Sequence, residues 1–283
     1  MIISALISQC RREFFDVPES SEALRGGDGS SVLFNLGRKP IVENSYSVYK
    51  GTSAQTETTH YTLDKDSGDL QFSVAPANGI NARATFKYAY FRDTNWVEAI
   101  NYGIDALNGL GFFKNIVRNN SLLRLSANVR TYSGPSNCID IYEFLLFDNR
   151  TVSGSTYKPG VNWRYEAGEN KLVLGNLPAV AEPATISYLR NMVGYSATSA
   201  TIDVLDDWLE LVKKKAGAYF FRNVASRIAL QGAATIEEGH FSFTNARTMA
   251  NDLENDFERL AQRKKPVRPS RDIKFHLEDG GVA

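Results

Sequence analysis

The sequence predicts an α+β fold in which an N-terminal helix, a middle helix and long C-terminal helices form a helical core carrying two β-rich sections, the first of them an inserted β-domain. Three observations predict it. Apolar residues recur at three- and four-residue steps near both ends and around Ile100. The period drops to two between Val32 and Phe91, and again between about Leu122 and Val193. Clusters of Gly, Pro, Asp and Asn punctuate each change of period. With 283 residues, 43% of them hydrophobic, the chain has the apolar material for a sizeable core.

Ile2, Ile3, Leu6, Ile7 and Phe14 fall on one side of a first helix, with Arg11, Arg12 and Glu13 read as its polar side. Pro18 disfavours helix in the residue before it, so this helix should stop near Asp16, and residues 17 to 31 read as an exposed loop. In the first β-rich section Leu70, Phe72 and Val74 alternate with polar partners, as do Ala84, Phe86, Tyr88 and Tyr90. The run D-K-D-S-G at Asp64–Gly68 and the run P-A-N-G at Pro76–Gly79 supply turn chemistry on either side of one strand, which reads as a hairpin. Asn95 is placed to cap a middle helix with Glu98 at the third position. Trp96, Ile100, Ile104 and Leu107 then make its apolar stripe, and Gly109 and Gly111 end it.

The second β-rich section shows alternating pairs at Ile139 and Ile141, Leu172 and Leu174, and Ile186 and Tyr188. It also echoes the first. G-D-L-Q-F-S-V-A-P at 68–76 precedes A-T-F-K-Y at 84–88, and N-K-L-V-L-G-N-L-P at 170–178 precedes A-T-I-S-Y at 184–188. Either a duplication or two generic hairpins rich in β-forming residues yields this pattern. From Thr201, Ile202, Leu205, Leu209, Val212, Ala216, Tyr219 and Phe220 keep helical period, with Gly232 as the stop. A last helix from about Thr244 carries Met249, Leu253, Phe257 and Leu260 on one side. The expected divisions are 1–31, 32–91, 92–121, 122–195, 196–262 and 263–283.

Lys plus Arg and Asp plus Glu are both 32, so no global field favours nucleic acid or an anionic membrane. Cys10 and Cys138 sit in neither disulfide-framework nor metal spacing, which fits a reducing, cytoplasmic setting. Gln9 before Cys10, with no basic run upstream, argues against a lipoprotein signal. No apolar run reaches the roughly 20 residues that span a bilayer. His60, His240 and His276 have no Cys, Asp or second His at ligand spacing, and no phosphate loop, nucleophile elbow or zinc-helix motif occurs. Asp64, Asp66 and Asp69 lack the glycine and terminal Glu of a calcium loop and read as a solvated turn. Asp203, Asp206, Asp207 and Glu210 read as an acidic first helical turn favoured by the macrodipole. The expectation is a chain without cofactor or metal that works by binding other subunits and not by catalysis.

The C-terminal segment from Arg263 is the candidate binding element. Arg263, Lys264, Lys265, Arg268 and Arg271 supply positive charge, and Ile273, Phe275 and Leu277 alternate with Lys274 and His276 as a strand would. Such a segment has too little apolar content to fold alone but can order on a partner.

In their order these elements resemble the head-tail adaptor (connector) proteins of tailed bacteriophages. The resemblance is carried by I-I-S-A-L-I-S-Q-C-R-R-E-F-F-D at 2–16, D-T-N-W-V-E-A-I-N-Y-G-I-D-A-L-N at 93–108, P-A-T-I-S-Y-L at 183–189, V-L-D-D-W-L-E-L-V-K-K-K-A-G-A-Y-F-F at 204–221 and the basic, proline-containing end. It implies a helical adaptor core and a homo-oligomeric ring, commonly of twelve copies, in the neck of the virion. Such a ring docks under the portal protein through its C-terminal arms, meets tail or neck proteins, and leaves a channel for DNA without reading its sequence. The alternative from another class is a tail or baseplate β-domain that binds carbohydrate, for which 13 Tyr and 16 Phe provide aromatic material. An enzyme ranks below both, because no acid, base and nucleophile grouping is present.

Overall fold

The computed structural model of the chain describes residues 1–116, 123–148, 156–159, 162–175, 178, 183–231 and 242–265. They begin with helix α1 (Ile3–Glu13), followed by strands β1 (Glu19–Arg25), β2 (Leu33–Asn35), β3 (Ser47–Lys50), β4 (Ser53–Ala54), β5 (Tyr61–Asp64), β6 (Asp69–Phe72) and β7 (Ala82–Tyr88). Helix α2 (Asp93–Gly109) precedes β8 (Lys114–Ile116), β9 (Leu123–Arg124), β10 (Thr131–Ser133), β11 (Cys138–Asp148), β12 (Thr156–Pro159), β13 (Trp163–Glu166), β14 (Lys171–Leu174) and β15 (Pro183–Arg190). Helices α3 (Asp206–Gln231) and α4 (Phe243–Lys264) close the described chain.

The expected helical core with β additions is overturned. The fold is α+β but strand-rich, with four sheets against four helices among the described residues. The reason is that each period-two section closes into two facing sheets with an apolar core of its own, and so does not depend on the helices to bury its apolar face. Two compact units result, one formed by 1–106 with 194–263, the other built on 107–193.

In the first unit α1 starts without a side-chain cap. Its first free N–H groups, those of Ile3 and Ser4, donate instead to the carbonyls of Ala200 and Thr198, both at 2.9 Å. Ile3, Leu6, Ile7 and Cys10 are buried along it, while Ile2 stays outside as the flanking residue. Trp96, Ile100 and Ile104 of α2 are buried as their spacing predicts. Asn95 is not the N-cap: the helix begins at Asp93, and Asn95 stands at its third position, where its Oδ1 accepts from the Arg92 N–H at 3.1 Å. Helix α3 is apolar on several sides, and Leu211, Val212, Ala216, Ala218, Phe220, Phe221 and Val224 are all buried, the pattern of an interior helix. Trp96 stacks on Phe220 with centroids 5.1 Å apart, and Phe91 meets Phe220 edge to face at 4.9 Å. Two glycines permit the close approach. Gly217 lies under the Phe14 ring, and a Cβ on Gly103 would stand 2.8 Å from the Val212 carbonyl oxygen.

The β-domain of this unit pairs a sheet of order β1-β7-β3-β4 with a sheet of order β2-β6-β5. Val48, Ala82, Ala84 and Phe86 from the first face Leu63, Leu70, Phe72 and Tyr61 from the second in one core. Strand β1 occupies residues expected to be loop: its Glu and Ser side chains hid it, because as a sheet edge it buries little. The D-K-D-S-G turn joins β5 to β6 as expected, with Asp64 Oδ1 accepting from the N–H of Asp66 and Ser67. The P-A-N-G run, by contrast, carries the chain from one sheet to the other, so β6 and β7 do not form a hairpin. Val74 is 70% exposed, since the strand has ended at Phe72.

The second unit pairs the sheet β12-β11-β15-β8, with β9 also on β15, and the sheet β10-β14-β13. Ile141, Phe144, Leu172, Leu174, Ala184 and Ile186 make its core. Burying one of the Ile, Leu or Phe side chains among them is worth about 1.5–3 kcal/mol. Among the described residues no helix is long and apolar enough to cross a membrane.

Candidate functional site

The predicted binding element begins on α4. Ala246, Ala250, Phe257 and Ala261 form its buried stripe, while Met249, Leu253 and Leu260, expected on that stripe, are only half-buried. Small residues at four-residue steps let α4 lie close to α3. Ion pairs fix the contact: Lys215 with Glu254, Arg222 with Glu254 at 3.2 Å, and Lys214 with Asp256 at 3.5 Å, while the Lys215 ammonium stands 4.8 Å from the Phe257 ring centre.

The helix runs farther than the sequence suggested. Arg263 and Lys264 belong to its last turn and Lys265 follows directly, so the expected arm starts later than residue 263. Their charge is favourable there, because cations complement the partial negative charge of a helix C-terminus. Arg263 and Lys265 are exposed and Lys264 is half-buried. Arg268, Arg271, Ile273, Phe275 and Leu277 lie outside the described residues.

A second grouping was missed by the sequence reading. Arg11, placed there on the polar side of the first helix, is 6% exposed, and its guanidinium donates to Asp16 Oδ2 at 3.0 Å, to Phe91 O at 2.8 Å and to Asp93 Oδ1 at 2.9 Å. Asp16 also accepts from Trp96 Nε1 at 2.6 Å and from the backbone N–H of Tyr90 at 2.6 Å and Phe91 at 3.3 Å. The node ties the end of α1 to the exit of β7 and the start of α2. Burial pushes the Asp16 carboxyl up, to about 6, against the opposing pull of Arg11, Trp96 and the two amides. The signal was present: Ile3, Ile7 and Arg11 stand four apart on one stripe, and an Arg on a buried stripe calls for a buried anion.

His60 Nδ1 accepts from Thr56 N–H at 3.0 Å inside a surface loop, and His240 and His276 lie outside the described residues. Burial pushes the Cys10 thiol up to about 12, so it is a poor nucleophile. No group of three His, Cys, Asp or Glu side chains that could hold a metal occurs among the described residues. A shallow groove of about 480 Å³ on the outer face of β1 and β7 is lined by Ser20, Glu22, Ser45, Thr85 and Lys87. Of the three aromatics that a sugar platform in the first β-rich section would need outside, Phe72 and Phe86 are each 2% exposed and Tyr88 is half-buried. The chain matches no known protein family and no curated protein.

Proposed function

We propose that this protein is a structural subunit of the virion neck, a head-tail adaptor that assembles as a homo-oligomeric ring, docks on the portal and joins capsid to tail around the DNA channel. The observation that carries this reading is that α1, α2 and α3, the segments whose sequences resemble adaptor proteins, share one aromatic core through Phe14, Trp96, Phe220 and Phe221. The helices do not dominate the fold, so the reading rests on their sequences and on this shared core. Two further features suit a subunit surrounded by neighbours. Phe15 and Val17 hold apolar surface outside, 61% and 56% exposed, and α4 ends in a run of cations that leads into the alternating C-terminal segment.

The test is the oligomeric state and the docking. Purified protein is run on size exclusion with light scattering and imaged by negative-stain microscopy. A ring with several times the 31.5 kDa of one chain is expected. A monomer at every concentration, with no sedimentation on purified portal or DNA-filled heads, overturns the reading.

A further inference from the structure

We infer that the chain is a tandem duplication of one module, a helix followed by a two-sheet β-domain, with α1 and β1–β7 as the first copy and α2 and β8–β15 as the second. This concerns the architecture of the protein and is independent of the adaptor reading.

The pairing of the strands carries the inference. The small sheet of the first copy has the order β2-β6-β5, that of the second β10-β14-β13, so each strand takes the place of its counterpart in chain order. The large sheets read β1-β7-β3-β4 and β8-β15-β11-β12, again strand for strand, and every one of these pairs is antiparallel. Strand β9 completes the correspondence. It pairs with β15 at Pro183 and Ala184, while β8 pairs with the same strand at Tyr188–Arg190. Together they take the place that β1 holds unbroken along β7.

In the small sheets the register agrees residue by residue, whereas in the large sheets β11 meets β15 across two register shifts that β3 and β7 lack. In the first hairpin Tyr61 faces Phe72 and Asp64 faces Asp69; in the second Trp163 faces Leu174 and Glu166 faces Lys171. Both hairpins close over four residues, and both place a left-handed residue just before the returning strand, Gly68 at φ 73° and Asn170 at φ 50°. Phe34 lies opposite Leu70 in the third strand, and Tyr132 lies opposite Leu172 at the corresponding point. In the A-T-x-x-Y strands, Ala84 and Ala184 are 2% and 0% exposed and Phe86 and Ile186 are 2% and 5% exposed, so the same positions face the same core.

A device outside the sheets is repeated as well. In the first copy Arg11 and Asp16, from α1 and its end, hold the carbonyl of Phe91 and the N–H groups of Tyr90 and Phe91 just beyond β7. In the second, Asn108 of α2 holds the N–H and the carbonyl of Met192 just beyond β15, each at 3.0 Å. The helix that precedes each β-domain thus clasps the segment that leaves it. Two unrelated β sections could share a sandwich topology, but loop length, register, inward positions and the clasp are separate features that topology does not impose. The copies differ most in the β11–β12 hairpin, whose strands are longer than β3 and β4.

The experiment is an exchange of hairpins within the full-length chain. One chimera carries the sequence of residues 163–174 in place of 61–72, and its reciprocal carries 61–72 in place of 163–174. Controls carry the donor segment shifted by one residue, 162–173 or 60–71, which keeps length and nearly all composition but turns every side chain to the other face. Circular dichroism and thermal melts are read. A cooperative transition within roughly 10 °C of the parent, in either in-phase chimera but not in its shifted control, is expected. If both in-phase chimeras lose the transition as the controls do, or if the controls melt as well as the in-phase chimeras, the duplication is overturned.

Discussion

Asp16→Ala removes a carboxylate on which four donors converge inside the first unit: the Arg11 guanidinium, the Trp96 indole N–H and the N–H groups of Tyr90 and Phe91. The Arg11 and Asp16 side chains are 7% and 0% exposed, so water cannot replace the lost acceptor. Breaking a buried ion pair by deleting one partner costs about 3–5 kcal/mol, because the other charge is left desolvated. Arg11 keeps Phe91 O and Asp93 Oδ1, which argues for the lower half of that range. The orphaned indole and amide donors argue against anything smaller, since each unsatisfied buried donor costs about 1–3 kcal/mol. At about 2–4 °C per kcal/mol for a protein of this size, the melting temperature should fall by roughly 10 °C at pH 7.5. Calorimetry measures it, with Asp28→Ala on an exposed turn as the comparison. A fall of under about 2 °C would refute the argument that this node anchors α1 to α2.

The same residue sets a pH dependence. Because burial raises the Asp16 carboxyl in the folded state to about 6 from an ordinary value of 3.8, the folded chain holds this proton more tightly than the unfolded one. The contribution is fully present below the unfolded value and is lost as pH rises to about 6; wild type should therefore gain stability over Asp16→Asn between pH 7 and pH 5, and the opposite trend in paired melts would show that the four donors outweigh burial. Ile104→Ala, at a side chain with no exposure, should cost about 2–5 kcal/mol in urea titration; a change under 0.5 kcal/mol, about the size of a surface substitution, would place the α2 face wrongly. Gly103→Ala should destabilise by about 1–3 kcal/mol even though Ala favours helix by about 1 kcal/mol, since the Val212 carbonyl is rigid backbone; a stabilised variant would show that α2 and α3 are farther apart. Truncation after Lys265 leaves α4 whole and should leave the melt within about 2 °C of the parent while abolishing co-sedimentation with portal, and undiminished docking would remove the C-terminal segment from the proposed interface.

What the sequence determined by itself were the elements whose period is strong and whose partners are close by. The stripe of Trp96, Ile100, Ile104 and Leu107 fixed α2, because an apolar face at helical spacing has one way to leave water. The D-K-D-S-G turn fixed the β5–β6 hairpin, because an Asp that bonds the amides after it needs only its own neighbours. The echo between A-T-F-K-Y and A-T-I-S-Y was visible too, though not what it meant. Tertiary structure alone decided the features that depend on residues far apart in the chain. Strand β1 exists because β7 offers it an edge about sixty residues later, and nothing in E-S-S-E-A-L-R announces a strand. The balance of the fold went the same way: periodicity reports that a segment has an apolar face, but not whether that face is covered by a helix or by a second sheet folded from the same section. Here Phe72 and Phe86, from two different sheets, share one core, and Arg11 finds its anion in Asp16, which the sequence marks only as the place where the first helix stops.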